Sequence, residues 1–145
     1  MLRQTPFIER NAEISPDGRW LAYESNESGQ YEIYVRPFPN VNSGRSQPST
    51  TGGTQPLWAK SSPELFYVAP SGALMTVPFE PGSTWKAGTP VRLFDWPPGP
   101  SYDVSADGRF LMLKPVVGPE SKPAPSSLVV VQHFDKELKR LVPTK

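Results

Sequence analysis

Glu13 and Asp103 each lie two residues before a serine, Ser15 and Ser105, and each serine precedes an aspartate by two, Asp17 and Asp107. Carboxylates in such pairs can act as general acid and base, or hold a hard cation such as Ca²⁺ through oxygen ligands. Asp17 and Asp107 recur inside matching turn sequences. An aspartate repeated that way serves turn geometry, because its side chain bonds to nearby backbone N–H groups. Glu13 and Asp103 stand outside the turns and are the better candidates for binding a cation or polar ligand. His133 is the only histidine and lies beside Phe134 at the end of an apolar run. No Gly-x-Ser-x-Gly sequence accompanies it, so it reads as a structural or surface residue rather than a catalytic base. There is no cysteine, which excludes disulfides, thiol catalysis and cysteine zinc sites. The expectation is a protein that is not an enzyme and carries no cofactor or metal.

These residues ride on a repeat. Ser15-Pro16-Asp17-Gly18, Ser61-Ser62-Pro63-Glu64 and Ser105-Ala106-Asp107-Gly108 are turn signatures, separated by steps of 46 and 44 residues. Pro presets φ for a turn, and Gly accepts positive φ. An apolar run follows each signature. A period in the forties with short strands points to propeller blades. The first copy predicts strands over 12–15, 19–24 and 31–38 and a polar outer strand over 46–51. The second predicts 57–59, 65–68, 73–79 and 90–94. The third predicts 102–104, 110–113 and 128–134. Trp20-Leu21-Ala22-Tyr23 has no polar alternation, so that strand must be covered on both faces.

The ends do not fit the repeat. Asp135 can cap a short helix from Lys136, with Phe134, Leu138 and Leu141 along one face. The third blade is thus left one strand short. Residues 1–9 belong to no blade of their own, and Leu2, Phe7 and Ile8 supply apolar groups for an outer strand donated elsewhere. The expected division of the single domain is 1–9 for that strand, 10–52, 53–97 and 98–145 for three blades, the helix closing the last. Trp85 and Trp96 fall outside the repeat frame beside Gly and Pro, and read as exposed partner contacts.

Composition narrows the partners. The chain has 145 residues, with 15 Lys and Arg against 14 Asp and Glu. That balance argues against nucleic acid as a partner. The first residues lack an apolar signal core, and no run approaches the roughly 18 apolar residues of a membrane helix. The expected protein is soluble, with its compartment left open. Pro (19) and Gly (11) are spread between apolar runs, as many short strands require.

Ile14-Ser15-Pro16-Asp17-Gly18-Arg19-Trp20-Leu21-Ala22-Tyr23 resembles the TolB-type β-propeller repeat, a relative of WD-repeat blades. Glu32-Ile33-Tyr34-Val35-Arg36-Pro37-Phe38-Pro39, Gly52-Gly53 before Pro56-Leu57-Trp58, Glu64-Leu65-Phe66-Tyr67 and Glu137-Leu138-Lys139-Arg140-Leu141-Val142-Pro143 extend the likeness. Together they resemble the C-terminal blades of the propeller that follows some bacterial Ser/Thr kinase domains. No kinase motif is present. The resemblance implies a sensor or protein-binding module and no catalytic residues. The expected fold is all-β: three four-stranded antiparallel blades, half a propeller. Propellers typically have about 4–8 blades, so three per chain close as a six-bladed homodimer. The expected function is a non-catalytic binding or scaffolding module for an unknown protein or small ligand. A ligand or cation sensor at the channel is the alternative, and a hydrolase the remote one.

Overall fold

Alternating turn residues and β-branched or aromatic runs leave this chain little choice but short antiparallel strands. The computed structural model describes residues 5–95, 101–114 and 127–130. It is all-β, with no helix among the described residues. The strands are β1 (Glu9–Ile14), β2 (Trp20–Ser25), β3 (Glu32–Pro37), β4 (Thr54–Trp58), β5 (Glu64–Val68), β6 (Ala73–Pro78), β7 (Val91–Asp95), β8 (Tyr102–Val104), β9 (Phe110–Lys114) and β10 (Ser127–Val130). They form three antiparallel sheets in the orders β1-β2-β3, β4-β5-β6-β7 and β8-β9-β10. The expected helix after Asp135, His133, Leu2 and Trp96 all lie outside the described residues.

Among the described residues only the second sheet has four strands. The polar outer strand expected over 46–51 is reduced to one bridge, Val35 to Ser46. Pro48 has no N–H to continue a ladder. The Ser49 hydroxyl takes over instead, accepting from the Ile33 amide at 2.7 Å.

The true repeat frame differs from the one the turn sequences suggest. The Ser15 amide donates to the Trp20 carbonyl, and Ala59 donates to Glu64 in the same way. At the third turn Ser105 donates to Arg109. Ser15, Ala59 and Ser105 are therefore the equivalent positions, 44 and 46 residues apart, and Ser61 lies two residues late. The outer turns match in detail. Gly18 and Gly108 take positive φ, 70° and 78°. Ser15 and Ser105 donate their hydroxyls to Asp17 and Asp107 and accept the Trp20 and Arg109 amides at 3.0 Å each.

Two cores separate the sheets. Trp20, Ala22, Ile33 and Val35 of the first sheet meet Trp58, Leu65, Tyr67 and Val77 of the second. On the second sheet's other face, Ala59, Phe66, Val68 and Leu74 meet Val104, Phe110 and Met112 of the third. This explains the unbroken apolar run over 65–68: alternate side chains serve opposite neighbours. Burying each large side chain contributes roughly 1.5–3 kcal/mol.

Candidate functional site

β1, β4 and β8 are each the first strand and an edge of their sheets. Hydrogen bonds between sheets gather these edges. The Trp58 indole N–H donates to the Glu13 carbonyl at 3.0 Å, and the Tyr102 hydroxyl donates to the Gln55 carbonyl at 2.9 Å. Donor and acceptor are 45 and 47 residues apart, so each link reaches back about one repeat.

Both β1 and β4 break register at the same place, between Arg10 and Glu13 and between Thr54 and Leu57. Asn11 and Gln55 take positive φ there, 50° and 55°. Residues other than glycine rarely hold that conformation without local support. Glu24, wholly buried on β2, supplies it to both. Its carboxylate accepts from Asn11 Nδ2 at 2.7 Å and from the Gln55 amide at 2.9 Å, and pairs with Arg10. A second buried carboxylate, Glu32, accepts from the Ser49 hydroxyl, from Gln30 Nε2 at 2.6 Å and from the Gly52 amide at 2.8 Å. Gly52 and Gly53 lie at the start of the second sheet because the backbone passes too close for side chains. A Cβ on Gly53 would stand 2.8 Å from Ile33 and 3.0 Å from Tyr67.

On this scaffold Glu13 and Asp103 are both exposed. Glu13 stands near enough to Tyr102 to help raise the phenol's pKa well above 10.0, though burial is the larger cause. Asp103 Oδ1 accepts from its neighbour's amide, Val104, at 2.7 Å. Glu13 and Asp103 thus sit on two edges bonded to the same β4, and no hydrogen bond or ion pair joins them. Asp17 and Asp107 are held below the usual carboxylate range, first by the hydroxyls of Ser15 and Ser105 and also by Arg19 and Arg109. Each aspartate bonds to the serine and arginine of its own turn. Among the described residues no three His, Cys, Asp or Glu are gathered as a metal ion would need.

Trp85 is less exposed than its place outside the repeat frame suggests. It is half-buried, with its ring centroid 5.5 Å from Trp20, 5.7 Å from Trp58 and 4.8 Å from Phe79. The chain after β6 folds back, with Gly88 donating to Pro78 and Glu80 to Lys86, and this lays Trp85 on the first core. The Pro81-Gly82 turn just past Phe79 was the sequence cue. Phe7 and Ile8 are exposed, and Ile8 exchanges hydrogen bonds with Asn26 at the end of the first sheet. Sequence reasoning missed Glu24, Glu32 and Arg36. Their cue was a charge at the end of an apolar run, in Tyr23-Glu24 and in Glu32-Ile33-Tyr34-Val35-Arg36.

No protein-family model matches this chain, and no curated protein matches it. Among the described residues no helix is long and apolar enough to cross a membrane.

Proposed function

We propose that this chain is a non-catalytic binding or scaffolding module of the TolB-like propeller type, working as a two-fold ring of two chains. The observation that carries the reading is the gathered row of first strands, β1, β4 and β8, which displays Glu13 and Asp103 to solvent over a rigid, hydrogen-bonded base. In a propeller that strand lines the central channel, where partners and ligands enter. A peptide library displayed on phage and selected against the purified chain tests it. Enriched peptides should lose about tenfold in affinity, roughly 1.4 kcal/mol, on a Glu13→Lys, Asp103→Lys double variant. Equal binding by the variant would place recognition elsewhere.

The acidity of both residues favours a second reading, a cation-binding sensor at the same row. Calcium would then raise the melting temperature of the wild type, because a ligand that binds only the folded state stabilises it. The same calcium would leave a Glu13→Gln, Asp103→Asn variant unmoved. A shift equal in both proteins would dismiss this reading.

A further inference from the structure

The two outermost faces of the three sheets are the halves of an interface already made twice inside the chain. β2 pairs with β3 as β5 pairs with β6: Leu21 faces Arg36 and Tyr23 faces Tyr34, as Leu65 faces Val77 and Tyr67 faces Met75. Likewise Ile14 pairs with Leu21 as Trp58 pairs with Leu65. Leu21, Tyr23 and Ile14 are therefore the counterparts of Leu65, Tyr67 and Trp58, which the first sheet helps to cover. In the first sheet none of the described residues covers that face at Ile14, on its inner edge. Ile14 is 49% exposed where Trp58 is 3% exposed. Beside it opens a cavity of about 130 Å³ lined by Ala12, Leu21, Tyr23 and Val41 together with the charged Glu9, Arg10 and Arg36. A cavity near 150 Å³ admits a group the size of benzene.

The opposite end carries the other half. Phe110 and Met112 point into the second core, so Leu111 and Leu113, alternating with them, point away. They are 37% and 42% exposed. Their counterparts on β5, Phe66 and Val68, are buried by the third sheet.

We infer that the occupant of each end face is a second copy of this chain. Leu111 and Leu113 of one copy dock on Ile14, Leu21 and the adjoining cavity of the other. The contact continues the stacking of the two internal cores and uses two different faces. It closes only if a second, identical contact completes a two-fold ring; otherwise such contacts run on into open chains. The inference rests on the propeller-type reading, from which it takes the closed ring.

Sedimentation equilibrium on the wild-type chain, on Ile14→Glu, on Leu111→Lys and on an equal mixture of the two variants tests it. Near-UV circular dichroism of the Trp20, Trp58 and Trp85 cluster serves as the folding control. The wild type should have the mass of two chains. Each variant alone should have the mass of one, with the near-UV signal kept. The mixture should return to two, because one of its two contacts is wild type on both sides and the other joins Glu to Lys. A wild type at single-chain mass with its near-UV signal intact overturns the inference and leaves the stacked-sheet module standing. A wild type without that signal removes the module reading itself. Variants that pair as the wild type does overturn the assigned faces, and a mass that keeps growing with concentration overturns closure. If Leu111→Lys loses the near-UV signal, Leu111→Ser replaces it, and unchanged self-association of Leu111→Ser overturns the inference equally.

Discussion

The seam between the first and second sheets and the seam between the second and third are built from equivalent strands yet held by different means. The first is aromatic and ionic together: Trp20, Trp58 and Trp85 meet above a base that Glu24 and Glu32 tie to β4 and to Gly52. The second holds a cluster of Phe66, Phe94 and Phe110, with centroids 5.0 and 5.7 Å apart about Phe110, and a phenol hydrogen bond from Tyr102. Stacked sheets evidently need complementary apolar faces and a tie at the inner edge, but the tie can be a carboxylate or a tyrosine. A buried carboxylate adds geometric demand. It must be met by specific donors, so it fixes how β1 and β4 lie against each other.

The first seam is most sensitive at Glu24. Replacing it by Ala strands the Gln55 amide and removes the support for two positive-φ residues. Urea unfolding should show a loss of about 2–4 kcal/mol. A loss below about 1 kcal/mol would mean that the carboxylate is incidental to the seam. Gly53→Ala comes next. The new methyl meets Ile33 and Tyr67, both buried and unable to move freely, so stability should fall by about 1–3 kcal/mol. A neutral result would show that the sheets separate easily there.

Tyr102→Phe is the smallest change and acts on the second seam alone. It should cost about 1 kcal/mol at neutral pH. Its sharper signature is in pH. Burial and Glu13 raise the folded phenol's pKa, so the unfolded chain loses that proton first, near 10.0. Stability of the wild type should therefore fall as pH rises above about 10, and the variant should lose less over the same range. An identical alkaline decline in both proteins would place the tyrosine outside the seam.

Much of this was legible in the sequence, and the reasons for the rest are physical. The runs at 20–23 and 65–68 declared strands covered on both faces because local composition carries that information. The turns declared themselves through Asp17-Gly18 and Asp107-Gly108. The middle turn misled. Ser61-Ser62-Pro63 looks like the other signatures, but Ala59 occupies the position that Ser15 and Ser105 hold, and Ala has no hydroxyl to mark it. Glu24 and Glu32 were passed over because their partners, Gln55 and Gly52, lie 31 and 20 residues away. The packing of Trp85 was hidden for a similar reason: its neighbours Trp20 and Trp58 are remote in sequence, and the fold-back after Phe79 brings them together.

Stacking of the sheets and the ties along their inner edges underlie both seams. The indole N–H of Trp58, bonded to the Glu13 carbonyl across the first seam, reports this directly. Hydrogen exchange followed by NMR should find that proton strongly protected in the wild type and markedly less so in Glu24→Ala. Exchange of the wild-type indole at the rate of a free tryptophan would contradict the stacking of the first two sheets.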